Sequence, residues 1–255
     1  MSEPTIFQIK GKIALITGAG RGLGRGYAIA LGRAGCKCIC IGRTLEDLAE
    51  TKRMIEQEQG EAETIVFDIT QFNQLKEAVD QIEERFGPID ILVNNAGTEI
   101  AEPFLKVTEA HYDMIMDVNI KAVFFLTQAV AEKMKARKRG KIINIGSLGS
   151  VIGLAGSSVY CSSKGAITQL TKTAALELAS EGIQVNAIFP GYFLTEMTKP
   201  FFDDPVHKTW IEDKIPLGRV GTFDDLVGAL LFLAAPASDY MTGQSISVDG
   251  GWTAG

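Results

Sequence analysis

With 255 residues and 46% hydrophobic content, the chain can bury a full core, and its length suits one large α/β domain or two small ones. A formal charge of −6 argues against a surface that attracts phosphate backbones or anionic lipid, so neither nucleic acid nor membrane is an expected partner. The opening MSEPTIFQIK lacks a basic start followed by an apolar run, and the longest apolar stretch, Leu226 to Pro236, falls short of the roughly 20 residues that span a bilayer; a soluble, cytoplasmic protein is expected.

Strand and helix patterns alternate along the chain. KIALITGA (12–19) reads as a strand, Leu23 to Ala34 as a helix and CKCICIG as the second strand. The charged helix LEDLAETKRMIEQEQ leads to ETIVFDI, and the helix QFNQLKEAVDQIEERF leads to PIDILVNN. Longer helices follow. The run from Thr108 to Arg137 precedes KIINIG, SSVYCSSKGAITQLTKTAALELAS precedes IQVNAIFP, and FDDLVGALLFLAA precedes QSISVDG. Seven strands with six intervening helices predict a doubly wound, mostly parallel sheet. No composition break divides it, so one domain over 1–255 is expected. The irregular stretch Gly191 to Thr222 reads as a long loop with a short helix, and such loops are often functional.

Cys36, Cys38 and Cys40 alternate and would share one strand face, too close in sequence to pair, so they read as small buried hydrophobes. Only two histidines, His111 and His207, are present, and no metal site is expected.

The first strand ends in TGAGRGLG, where Gly18, Gly20, Gly22 and Gly24 let the backbone turn sharply and approach a ligand at the start of the next helix. The spacing is not GxGxxG, so a variant of the dinucleotide loop is required. At the end of the second strand stand Gly42 and Arg43 rather than an acidic residue. A guanidinium suits a 2′-phosphate, and Arg21 inside the loop offers a second positive charge, which favours NADP(H) over NAD(H). Both arginines also fit a plain surface role. Further on, Tyr160 and Lys164 fall one helical turn apart, either as a snorkelling surface pair or as an acid with the cation that tunes it.

The ordered set TGAGRGLG, NNAG (94–97), the serine of INIGS, YCSSK and PGYFLT is similar to the motifs of the short-chain dehydrogenase/reductase family, a resemblance that runs from about Lys10 to Gly251. It implies a Rossmann-like fold and hydride transfer between a secondary alcohol and a ketone. By that resemblance Tyr160 is the general acid or base, and Lys164 supplies the cation that favours phenolate and holds the nicotinamide ribose. Ser147 hydrogen-bonds the substrate oxygen, and Asn119 orders a water linked to Lys164. Leu23 joins the glycine loop; Asp68 and Ile69 meet the adenine; Asn94, Ala96 and Gly97 edge the adenosine pocket; Pro190, Gly191 and Thr195 lie by the nicotinamide. Structural readings stay open for two of these motifs, since NNAG can stitch strands together and an aspartate after a strand can cap a turn. Gly146 departs from the family pattern, where a second serine is frequent. A homotetramer is the implied assembly.

The segments GYFLTEMT and SVDGGW resemble members that act on sugar acids and polyols, such as gluconate 5-dehydrogenases and 2-deoxygluconate 3-dehydrogenases. Those members carry basic residues after NNAG, whereas this chain has Thr98, Glu99 and Ile100. A Glu99 facing the pocket would repel a sugar acid, so a neutral sugar, polyol or other hydroxyketone is expected. Tyr192, Phe193, Met197, Phe201, Phe202 and Trp210 are candidates for the pocket wall or a lid. Two other readings stand beside this one: a 3-oxoacyl carrier-protein reductase docking its partner through KMKARKRGK (133–141), and a catalytically silent NADP(H)-binding regulator.

Overall fold

All five residues of β1 (Ile13–Thr17) are buried, which a strand achieves only when both faces of its sheet are covered. In the computed structural model, which describes residues 5–255, β1 lies near the middle of a seven-stranded sheet of order β3-β2-β1-β4-β5-β6-β7, with every pairing parallel. Residues 1–4, which begin the segment read for a leader, lie outside the described residues. The other strands are β2 (Lys37–Gly42), β3 (Glu61–Val66), β4 (Ile91–Asn94), β5 (Gly140–Ile145), β6 (Ile183–Pro190) and β7 (Ser245–Val248).

Strand alternation divides the core in two. Ala14 and Ile16 point to a cluster with Cys38, Cys40, Tyr27, Leu31, Leu226 and Leu230, so this face is covered by α1 (Gly22–Arg33) and by the later helix Asp224–Ala234. Ile13 and Leu15 point the other way, to Leu75, Val79, Leu126 and Val130. Here α3 (Leu75–Phe86) and α5 (Ala122–Arg137) pack, with α2 (Leu45–Gln57) back on the first face. The expected burial of the three alternating cysteines is what the structure shows.

The long run before β5 is α4 (Glu109–Met116), a π-helical turn over Asp117–Lys121 that contains Asn119, and then α5. This 29-residue rod contains a stretch of mean hydropathy 1.4, long and apolar enough to cross a membrane, which the sequence reading did not single out. Half of that stretch is buried within the protein, as in a core helix. α6 (Ser158–Leu178) follows β5, and the loop after β6 holds two short helices rather than one, α7 (Lys199–Asp203) and α8 (Pro205–Lys214), before α9 (Asp224–Ala234).

Buried polar groups tie the centre together. Asn94 Nδ2 donates to Asn144 Oδ1 at 2.8 Å and to Thr127 Oγ1 at 2.9 Å, and Asn144 Nδ2 donates to Thr171 Oγ1 at 2.9 Å, so β4, β5, α5 and α6 share one chain of bonds. A buried polar group left without its partner costs more than the bond is worth. Asn144→Ala should therefore lower stability by about 2–4 kcal/mol, or roughly 4–16 °C in melting temperature, through the cavity and the stranded amide of Asn94. Thermal unfolding followed by circular dichroism checks this; an unchanged melting temperature would show that the chain of bonds contributes little.

Candidate active site

The sheet's strand order reverses at β1 and β4, and there the carboxyl ends of the strands open into a cleft of about 1090 Å³. Its floor begins with the glycine loop. Gly18 holds φ +65°, a conformation that side-chain-bearing residues rarely adopt, and a Cβ on Gly24 would lie 2.1 Å from Gly18 O. The loop is held from behind: Thr51 Oγ1 donates to Ala19 O at 2.9 Å, Arg25 Nε donates to Thr51 Oγ1 at 3.0 Å, and the Arg25 guanidinium also bonds Gly20 O. Sequence reasoning missed this brace, because Arg25 and Thr51 lie 26 positions apart and carry no motif.

Gly18, Gly20, Arg21, Gly22, Leu23, Gly24, Arg43, Asp68, Ile69, Ala96, Gly97, Pro190, Gly191 and Thr195 all line the cleft. Arg21 and Arg43 are exposed at its mouth, and neither forms an ion pair among the described residues. Two free guanidiniums beside a glycine cradle fit the extra phosphate of NADP, which an isolated diol would not use. Asp68 also caps its turn, since Oδ1 accepts from Thr70 N at 3.0 Å and Thr70 Oγ1 at 2.8 Å; Oδ2 makes no protein hydrogen bond among the described residues. One expectation is corrected. Asn94 is 3% exposed, turned into the polar chain between β4 and β5, and does not line the cleft; its neighbour Asn95 does, donating to Thr17 O at 2.9 Å. Strand alternation sends adjacent residues to opposite sides, and the sequence pattern does not say which side faces a ligand.

Ser147, Tyr160 and Lys164 all line the cleft, with the Ser147 hydroxyl in hydrogen-bond reach of the Tyr160 phenol. Ser147 follows β5 in extended conformation, its Oγ accepting from Gly149 N at 3.2 Å. Tyr160 and Lys164 lie on one face of α6, with the ammonium 5.8 Å from the phenol ring centre. Lys164 is buried, and its Nζ donates to Ile145 O at 2.8 Å, which leaves two N–H donors. Asn119 is fully buried and does not reach the cleft. Its Oδ1 accepts from Thr98 N at 2.8 Å, and its Nδ2 donates to Thr98 O at 2.9 Å and Ser163 Oγ at 3.0 Å, so its side chain pins the segment after β4 to α6.

Burial governs the charges here. It pushes the Tyr160 phenol above its ordinary range; the Ser147 hydroxyl opposes the shift and Glu99 adds to it. The expected lowering by Lys164 is absent in the protein alone: burial is the largest influence, and Lys164 is not among the groups that act on the phenol. Burial also brings the Lys164 ammonium down to about 8, with Glu99 acting the other way. Glu99 itself is raised by burial, opposed by the Ser157 hydroxyl and Lys164.

The family model for short chain dehydrogenases matches residues 12–205. The chain belongs to the short-chain dehydrogenase family. The gluconate 5-dehydrogenase of Gluconobacter oxydans is 42% identical over 99% of both chains, and the L-xylulose reductase of Mesocricetus auratus is 40% identical over 96% of this chain and 97% of its own. A solved gluconate 5-dehydrogenase of Burkholderia cenocepacia, in complex with NADP and tartrate, superposes with a TM-score of 0.95 at 41% identity, covering 98% of each chain.

In this dehydrogenase the departure at Gly146 has a steric cause: a Cβ there would meet Phe189 Cδ1 at 2.3 Å. Of the aromatic candidates, Tyr192, Phe193, Phe201 and Trp210 line the cleft with Met197, and Phe202 does not. Residues not anticipated in the dehydrogenase cleft include Ser157, the N-cap of α6, along with Leu148 and Leu154. Only folding brings them there.

The folded dehydrogenase holds the Lys164 proton less tightly than the unfolded chain does. Stability is therefore lowest below pH about 8 and rises as pH climbs from there toward the ordinary lysine value, since the unfolded chain then binds the extra proton. Lys164→Met should raise stability at pH 7 by on the order of 2 kcal/mol, roughly 4–8 °C, and the gain should vanish by pH 10. Differential scanning calorimetry at the two pH values measures it; a destabilised variant at pH 7 would show that the bond to Ile145 O outweighs the buried charge.

Proposed function

We propose that this chain is one dinucleotide-binding domain that interconverts a secondary alcohol and a ketone on a sugar, polyol or related hydroxyketone, using NADP(H). The observation that carries the reading is the convergence of Ser147, Tyr160 and Lys164 on one cleft whose far end offers a glycine cradle and two unpaired arginines. Bound NADPH supplies the hydride to the carbonyl carbon, and NADP+ takes it back in the reverse direction. The residues of the chain handle the oxygen. Ser147 Oγ donates a hydrogen bond to the carbonyl oxygen and steadies the charge that builds there. Tyr160, held as a neutral phenol by burial, gives that oxygen its proton. Lys164 then faces the phenolate with its ammonium, which stabilises it until solvent returns the proton, while its free N–H donors suit ribose hydroxyls. Asn119 is a positioning residue, acting through Thr98 and Ser163.

Support against carrier-protein docking comes from the basic run 133–141, where each cation has an acidic partner. Lys133 pairs with Asp80, Lys135 and Lys138 with Glu181, Arg137 with Glu83, Arg139 with Asp90 and Lys141 with Asp239. A patch whose cations are already engaged by acids of the same chain offers less to an acidic partner. For assembly, the rod of α4 and α5 exposes Tyr112, Met114, Phe124 and Phe125, and β7 leaves an edge open, faces that suit the homotetramer. A cytoplasmic location fits the same reading.

Tyr160→Phe should reduce turnover by at least a thousandfold while NADPH affinity stays within about threefold, measured by nicotinamide absorbance and by fluorescence titration. An active Phe variant would remove Tyr160 from the chemistry. Arg43→Asp should shift the kcat/KM ratio at least tenfold toward NADH. An unchanged ratio would place the 2′-phosphate elsewhere.

A further inference from the structure

Near the glycine loop, Arg21 and Arg43 line the cleft together with Asp47 and Asp68, and three further acids, Glu99, Glu196 and Asp204, line it as well. His207 also lines it, its ring edge-on to Trp210.

Glu99 is the most enclosed of the three acids, and it is built in. Its Oε1 accepts from Ser157 Oγ, and Ser157 stands at the start of the helix that carries Tyr160 and Lys164. Burial is the largest influence on Glu99 and raises it, while the Ser157 hydroxyl and the neighbouring Lys164 ammonium favour the carboxylate anion. Glu99 Oε2 accepts no protein hydrogen bond among the described residues, yet it is not sealed from the cleft. Glu99 lines the same cleft as Tyr160, Lys164 and Tyr192, and it acts to raise the pKa of all three.

We infer that Glu99 is the charge filter of the substrate site, accepting a hydroxyl of an uncharged polyhydroxy ketone on Oε2 and repelling substrates that carry a carboxylate. The inference rests on the reading of Tyr160 as proton donor, since that reading makes the surroundings of Tyr160, on which Glu99 acts, the substrate site. Repulsion acts in a partly desolvated cleft, where water screens it poorly, so it decides between substrates of equal shape. A neutral hydroxyl, by contrast, gains a charge-assisted hydrogen bond.

Calorimetric titration of tartrate, a hydroxylated dicarboxylate with no ketone to reduce, into NADPH-loaded protein reads the filter without turnover. Glu99→Gln keeps the size of the side chain and its bond to Ser157, and Glu99→Ala removes both. Both variants are expected to bind tartrate at least tenfold more tightly than the wild type. No gain in either variant overturns the inference. A second arm compares kcat/KM for L-xylulose, a neutral ketose, with that for 5-keto-D-gluconate. The wild type should prefer the ketose, and Glu99→Gln should cut that preference at least tenfold; a preference that does not change overturns the filter as well. Reduction of neither ketone, with the tartrate gain intact, would instead sink the sugar reading of the site and leave the filter standing.

Discussion

The active cleft depends on one buried ammonium. Lys164 reaches from α6 to the last carbonyl of β5, and that bond sets the distance between the helix carrying Tyr160 and the strand end carrying Ser147. A buried cation with a single protein partner is a poor way to stabilise a fold. The same burial that weakens the lysine's hold on its proton also keeps Tyr160 neutral. Stability and chemistry are in tension here, as they are wherever a site holds charge out of water.

Around that centre, most of the fold serves to hold backbone in place. Alternation on the central strands supplies two apolar faces, each covered by helices, and this leaves the strand ends free to form the cleft. Polar braces then locate the loops. Arg25 and Thr51 grip the glycine loop, Asn119 grips the segment after β4, and the Asn94–Asn144–Thr171 chain locks the strands to α6.

Several particulars show how far the sequence could be read. The glycine turn and the one-turn pairing of Tyr160 with Lys164 were legible because each is local and its spacing has a direct geometric meaning, four residues for one turn of helix; Ser147 was reached only through the family resemblance. Asn94 was misplaced by one residue for a related reason, as the alternation that makes a strand recognisable leaves open which face meets a ligand. The pairing of the basic run 133–141 was invisible, since its partners Asp80, Glu83, Asp90, Glu181 and Asp239 come from other parts of the chain. The direction of the Tyr160 shift was misread too. A neighbouring lysine argues for phenolate in water, but burial acts on both groups and only the folded environment says which effect is larger.

The amino-acid sequence by itself determined the alternation of strands and helices, the parallel class of the sheet, the phosphate-binding turn after β1 and the helical pairing of Tyr160 with Lys164. All of these follow from short-range periodicity and backbone sterics. Tertiary structure alone decided the strand order, the two braces behind the loops, the depth at which Lys164 is buried, and that Glu99, 58 positions from Ser157, shares its hydrogen bond at the helix start. Those features are contacts between distant segments. They exist only once hydrophobic burial has brought the segments together, and no local pattern in the chain encodes them.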